Sequence, residues 1–177
     1  KNKNIILFLG RIVEKKGLDL LLKSFNKIKE KNDHIVIVGS SDKKYELRIK
    51  HIIKNNKLNK FVTWIGPLYG NLKWDAFKAA NLFCLPSHQE NFGISVVESL
   101  SCGTPVLISN KVNIFYEIKK YRAGFIDDNT IEGTTRSLKK WKQINNRDYK
   151  QMSLNSLKCF KDNFKISNSV DKILNLK

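Results

Sequence analysis

Residues 4–39, NIILFLGRIVEKKGLDLLLKSFNKIKEKNDHIVIVG, read as strand, turn, helix, turn, strand. Ile5 to Leu9 form a continuous apolar run stopped by Gly10, and His34 to Val38 form a second run stopped by Gly39. Between them Leu18, Leu21, Leu22, Phe25 and Ile28 recur at the spacing of one helix face. Unbroken apolar strands joined by an amphipathic helix predict a parallel sheet covered on both faces.

The pattern continues down the chain. Tyr45, Ile49, Ile52 and Ile53 mark a second helix, and Phe61 to Ile65 a third strand closed by Gly66-Pro67. A helix is expected from about Leu72 to Ala80, then a strand from Asn81 to Leu85 before Pro86. A helix over about Gly93 to Cys102, a strand from Pro105 to Ile108, a short helix near Ile114 to Lys119 and a weaker strand from Gly124 to Ile126 follow. No strand is evident beyond Thr130, where Trp141, Met152, Leu157, Phe160, Ile173 and Leu174 are candidate anchors for helices. With right-handed crossovers this is an α/β, doubly wound, Rossmann-like fold. Its core covers about 4–130 and a helical C-terminal tail about 131–177, all in one domain of 177 residues.

Composition narrows the function classes. Lys and Arg number 33 against 16 Asp and Glu, a formal net charge of +17. Only five of the cations are Arg, and the 28 Lys lie in nearly every segment beside abundant Asn and Ile, as in a chain written in AT-rich codons. A solvated, biased surface accounts for such charge, with a soft preference for anionic partners such as phosphorylated substrates or an acidic membrane face. Base reading calls for Arg, Asn and Gln presented from one element, so no nucleic-acid partner is expected. Three scattered cysteines without metal-ligand spacing argue against a disulfide scaffold and a zinc site. No apolar run reaches the length of a membrane span, and Ile5 to Leu9 is too short for a signal peptide.

Ligands of doubly wound sheets bind at the carboxyl ends of the strands. Gly10 and Arg11 follow the first strand, and Lys16-Gly17 open the next helix, an anion site of two cations beside a helix N-terminus. The order is not that of a P-loop. A second cluster, Pro86-Ser87-His88-Gln89-Glu90-Asn91-Phe92-Gly93-Ile94, runs into the helix carrying Glu98. Gly93 permits close backbone approach, the amides of Phe92, Gly93 and Ile94 are free at a helix start, and carboxylates such as Glu90 and Glu98 suit sugar hydroxyls.

Glu90 and Glu98 form an E-x7-E motif within ENFGISVVESLSCGTPV, with LPS ahead of it and GRIVEKKG near the N-terminus. Over roughly residues 4–130 the chain resembles the C-terminal, nucleotide-sugar domain of the family-4 (group 1) glycosyltransferases. That family has the GT-B architecture, two Rossmann-like domains facing a cleft. The resemblance implies a retaining, hexosyltransferase-class enzyme moving a sugar from a nucleotide-diphosphate donor to a saccharide or lipid-linked acceptor, as in polysaccharide biosynthesis. Arg11 and Lys16 would hold the diphosphate. Gly10, Asn91, Phe92, Gly93 and Ile94 would border phosphate and sugar, Glu90 would contact the transferred sugar, and Glu98 the ribose. Gly39, Leu68 and Lys73 would border the base. No metal and no cofactor beyond the donor substrate are expected. The resemblance also implies a cytoplasmic setting, peripheral on the inner membrane face. The acceptor-binding N-terminal domain is expected to be absent, leaving a fragment inactive or nearly so.

The chain departs from the family pattern in two places. Gly39-Ser40-Ser41-Asp42 stands where a Gly-rich turn with an acid is usual, and Asn113-Ile114-Phe115 replaces a Gly pair ahead of Glu117, which makes Glu117 a poor ligand candidate. Asp127-Asp128-Asn129 resembles a metal-binding DxD but reads better as a turn. Cys102 is expected to pack against the sheet and His88 to be a loop residue; Trp64 and Trp74 are candidates for lining a base pocket, with core packing the favoured role for each. A non-catalytic nucleotide-binding module and half of a sugar-nucleotide epimerase are the alternative functions.

Overall fold

A computed structural model of the chain describes residues 3–165. The first strand, β1 (Asn4–Leu9), leads through a single 3-10 turn (Glu14–Lys16) into α1 (Leu18–Ile28), and then come β2 (Asp33–Val38) and α2 (Lys43–Asn55). After β3 (Val62–Gly66) and α3 (Gly70–Ala79) come β4 (Leu82–Leu85), α4 (Ile94–Ser101), β5 (Val106–Ser109), α5 (Phe115–Tyr121) and β6 (Gly124–Asp127). Two helices close the described chain, α6 (Ile131–Gln143) and α7 (Asn146–Asn163).

All six strands are parallel, in the order β3-β2-β1-β4-β5-β6. The order reverses between β1 and β4, so the crevice for a ligand opens where their following loops part. Residues of β4 and β5 are buried throughout, as uninterrupted apolar runs require. The third strand departs from that expectation. It lies at the sheet edge, where Thr63 and Ile65 are exposed while Val62 and Trp64 turn inward.

The predicted face of α1 is confirmed, with Leu18, Leu21, Leu22 and Phe25 fully buried. Asp19 and Ser24, on what would be its polar side, are buried as well. Ser24 is covered by α6, which packs along α1 and accepts its hydroxyl at the Ile131 carbonyl, 2.8 Å away, whereas Asp19 faces α2. Asp19 keeps a polar contact through the Tyr45 hydroxyl at 3.3 Å.

The last two helices are integral to the layers. On one sheet face α6 touches β5, β6 and α1, and on the other α7 lies across α4 and α5. Of the expected anchors Trp141 is buried, Met152, Leu157 and Phe160 are half-buried, and Ile173 and Leu174 lie outside the described residues. Leu138 and Cys159 are fully buried anchors that the sequence reading did not name.

Candidate functional site

The site is built from the loops that leave β1, β2, β3 and β4 at their carboxyl ends. Backbone bonds lace the first three together: Gly10 donates to the Val38 carbonyl at 3.0 Å, Ile12 to Ser40 at 2.8 Å, and Gly39 to Gly66 at 2.9 Å. The lacing is so close that a Cβ on Gly39 would stand 1.8 Å from the Gly10 carbonyl oxygen, at a φ of +144° that only glycine takes readily. A hollow of about 200 Å³ is left there, bringing Gly10, Arg11, Gly39 and Leu68 together with Ser40 and Tyr69. Tyr69, highly exposed, escaped the sequence reading; an aromatic placed just after the Gly66-Pro67 stop was the available signal. Asp42 is the N-cap of α2, accepting from the Tyr45 amide at 2.8 Å, which gives that acid a structural task.

The second wall is the loop between β4 and α4, tied on both sides. The His88 amide donates to the Lys15 carbonyl at 2.9 Å. On the other flank Glu90 bridges residues 111–113, its amide donating to the Lys111 carbonyl and its carbonyl accepting from the Asn113 amide, both at 3.0 Å. Gly17 meets this wall so tightly that a Cβ would lie 2.3 Å from the Pro86 carbonyl oxygen. Gly93, left-handed at φ +67°, turns the chain into α4. Among the described residues the amides of Phe92, Gly93 and Ile94 donate to no backbone carbonyl, which leaves these N–H groups without a main-chain partner at the positive end of a helix.

Both carboxylates of the E-x7-E motif face lysines. Glu90 is ion-paired and hydrogen-bonded to Lys16, across 74 residues of sequence, with both side chains mostly buried. Glu98 accepts from Lys73 at 2.7 Å, and the same ammonium stands 4.5 Å from the centroid of Trp74. Arg11 is exposed and forms no ion pair among the described residues. Asn91 and Phe92 are exposed too, the Phe92 ring edge-on to Phe164 at 5.8 Å.

Trp74 is not a core residue: the first turns of α3 stand away from the sheet, and its ring is left 37% exposed beneath Lys73. Trp64 packs against the core, with its indole N–H 3.5 Å from the Gly39 carbonyl. His88 is an exposed loop residue beside Asn129. Burial pushes the Cys102 thiol above its ordinary range, which keeps it protonated at neutral pH. One carboxylate oxygen of Glu117 is buried with no hydrogen-bond partner among the described residues. No group of three or more His, Cys, Asp or Glu gathers in a metal-binding arrangement among them, and no described helix is long and apolar enough to cross a membrane.

Asp127 closes β6, and Asp128 and Asn129 lead the chain by a bend into α6. Asp127 takes the Asp128 amide at 2.9 Å and both arms of the Arg136 guanidinium. Burial works against its charge, but the hydrogen bonds from Arg136 and the Asp128 amide, with the positive charges of Arg136 and Lys140, hold its carboxyl below the usual range. A carboxyl depressed in this way contributes stability above its unfolded pKa, about 3.9, and loses it as pH falls through the folded value. Asp127→Asn is therefore expected to destabilise at pH 6 and to flatten the acid limb below about pH 4. Urea midpoints of both proteins at pH 6 and pH 3 measure it; parallel pH profiles would refute the assignment.

Comparison with known proteins agrees with this geometry. An uncharacterised glycosyltransferase of Methanocaldococcus jannaschii is 30% identical over 154 residues, which cover 79% of this chain and 37% of that protein. A C-terminal domain of a group 1 family glycosyl transferase from Francisella tularensis superposes with a TM-score of 0.81 at 16% identity, over 92% of this chain and 86% of that one. An Anabaena protein solved with UDP and glucose gives a TM-score of 0.87 at 16% identity, over 99% of this chain and 49% of that one. At these identities the structural likeness speaks for the fold, and the chain spans well under half the length of the first of these relatives. The model of the family described as glycosyl transferases group 1 matches residues 1–158, and with most of its length inside that match this chain belongs to the group 1 glycosyltransferases.

Proposed function

We propose that this chain binds a nucleoside-diphosphate sugar and is the donor half of a retaining, hexosyltransferase-class enzyme. The observation that carries the reading is the Lys16–Glu90 pair, which joins the loop after β1 to the loop before α4 where the strand order reverses, beside amides that have no main-chain acceptor among the described residues. The solution of the Anabaena neighbour with UDP and glucose supports it.

Arg11 and Lys16 take the diphosphate and neutralise the charge that grows on it as the sugar leaves. The amides of Phe92, Gly93 and Ile94 add donors to phosphate and sugar oxygens. Once a diphosphate oxygen has replaced Glu90 on Lys16, the freed Glu90 carboxylate accepts hydrogen bonds from the sugar hydroxyls. Glu98 holds the ribose, and the base lies in the hollow beside Gly39 and Leu68. No divalent metal is required, because two cations and a helix terminus supply the positive field. The acceptor oxygen bonds to the sugar's anomeric carbon on the face from which the diphosphate departs. Its proton passes to that leaving group, and no covalent sugar–enzyme adduct forms. A saccharide or lipid-linked acceptor is read by parts of the relatives that this chain does not span. The setting is the cytoplasmic face of an anionic membrane, which a net charge of +17 favours.

Calorimetric titration of the chain with UDP, GDP and ADP in the presence of a chelator tests the donor site. One of them is expected to bind saturably and so to name the base. Binding by none of the three would overturn the reading. Lys73→Gln removes the partner that orients Glu98 while leaving α3 exposed to water. Nucleotide affinity is expected to fall about tenfold, the scale of one charge-assisted hydrogen bond, and the same titration reads it.

A further inference from the structure

Away from the donor crevice, the outer edge of β6 borders a hollow of about 440 Å³ between α5 and α6. That volume lies within the range of small-molecule sites, about 300–1,000 Å³. Its wall is apolar where Phe125, Ile126 and the half-buried Met152 meet. Two polar groups lining it have no hydrogen-bond partner among the described residues. Ser137, on α6, is fully buried, and its hydroxyl makes no hydrogen bond; the Oδ1 of Asn110 is buried and equally unsatisfied, although its amide nitrogen donates to Asp128 at 2.8 Å. Buried polar atoms are normally paired, and unpaired ones that line an open cavity are poised for something that enters it.

The charge at the rim has one sign to spare. Lys119, Arg122 and Lys140 line the hollow and form no ion pair among the described residues. The carboxylates that share the rim are already engaged, Asp127 with Arg136 and Asp128 with Arg136 and Asn110. An apolar wall, a buried hydroxyl and three cations that form no ion pair among the described residues define the complement of an amphiphile. We propose that this pocket is a second binding site, separate from the donor crevice, for a small molecule with an anionic head, phosphate or carboxylate, on an apolar body. Such a head belongs equally to a membrane lipid and to a soluble amphiphilic metabolite. The site takes either through the same contacts: the head on Lys119, Arg122 and Lys140, an oxygen on the Ser137 hydroxyl, and the body along Phe125 and Met152.

Met152 is the chain's only methionine, so protein carrying 13C-methyl methionine gives one methyl resonance from inside the pocket. Decyl phosphate, added below its micellar concentration, is expected to shift that resonance saturably. Inorganic phosphate and decanol are each expected to act at least about tenfold more weakly, since each carries half of the recognised chemistry. Lys119→Gln/Lys140→Gln changes two exposed side chains and is expected to weaken binding about tenfold with an unchanged urea midpoint. Ser137→Leu fills the cavity and is expected to abolish the shift. An unmoved resonance, a shift that the double lysine variant keeps in full, or displacement of decyl phosphate by UDP would overturn the proposal. Phosphatidylcholine vesicles containing phosphatidic acid separate the sources. Sedimentation with loss of the Met152 signal supports a lipid headgroup, and a shift with monomeric decyl phosphate alone supports a soluble amphiphile.

Discussion

Nucleoside-diphosphate affinity is expected to fall by at least about 100-fold when Arg11 and Lys16 are both replaced by Ala. A hydrogen bond to a charged group contributes about 1.5–3 kcal/mol, so removing two such bonds together costs about 3–6 kcal/mol, against about 1.4 kcal/mol for each factor of ten. The two residues will not behave alike. Arg11 is exposed and forms no ion pair among the described residues, so Arg11→Ala should leave the urea midpoint where it was and report binding alone. Lys16 neutralises the mostly buried Glu90. Its removal strands a carboxylate and is expected to cost about 1–3 kcal/mol of stability as well. Calorimetry without metal, beside urea unfolding of the single and double variants, separates the effects. A double variant that binds as tightly as the parent would remove the diphosphate from this crevice.

Glu90→Gln is expected to move two ligands in opposite directions. The Lys16–Glu90 pair occupies the cation that a diphosphate needs, so the neutral amide releases Lys16 and the bare nucleoside diphosphate should bind several-fold tighter. The nucleotide sugar loses its carboxylate acceptor, and the extra affinity conferred by its sugar should fall by about 10–100-fold, the scale of one charged contact to neighbouring hydroxyls. Paired titrations with a nucleoside diphosphate and its sugar conjugate read both changes. Parallel weakening of the two would show that Glu90 only shapes the loop. Loss of sugar discrimination with unchanged diphosphate binding would show that Lys16 is already free.

Much of the fold was legible because its signals are local. Apolar runs ended by Gly10, Gly39 and Gly66 predict the first three strands, and the spacing from Leu18 to Phe25 predicts the buried face of α1. Strand order is not local. Nothing in Phe61 to Ile65 says that this strand lies at an edge and exposes Thr63 and Ile65. The burial of Ser24 was hidden for the same reason, since the helix that covers it begins at Ile131, and that of Asp19 because its partners Tyr45 and Arg48 lie on α2. Residue types and spacing marked Arg11, Lys16, Glu90 and Glu98 as candidates, while the lysine partner of each carboxylate lay beyond sequence reasoning. Lys16 and Glu90 are 74 positions apart and Lys73 and Glu98 are 25, and only the packing of α3 and the β1 loop against α4 and its preceding turn brings them together. Trp74 was misjudged because hydrophobicity alone sends tryptophan to the core, whereas here its face is used by a lysine.

The loop from Pro86 to Gly93 owes its position to main-chain bonds, His88 to Lys15 on one flank and Glu90 to Lys111 and Asn113 on the other. Peptide groups are supplied by almost any amino acid, so the course of this loop is indifferent to most of the side chains it carries. Asn91 and Ile94 project into solvent from that fixed course, while the half-covered ring of Phe92 stands against Phe164. Exchanging the exposed Asn91 or Ile94 is therefore expected to leave the fold unchanged.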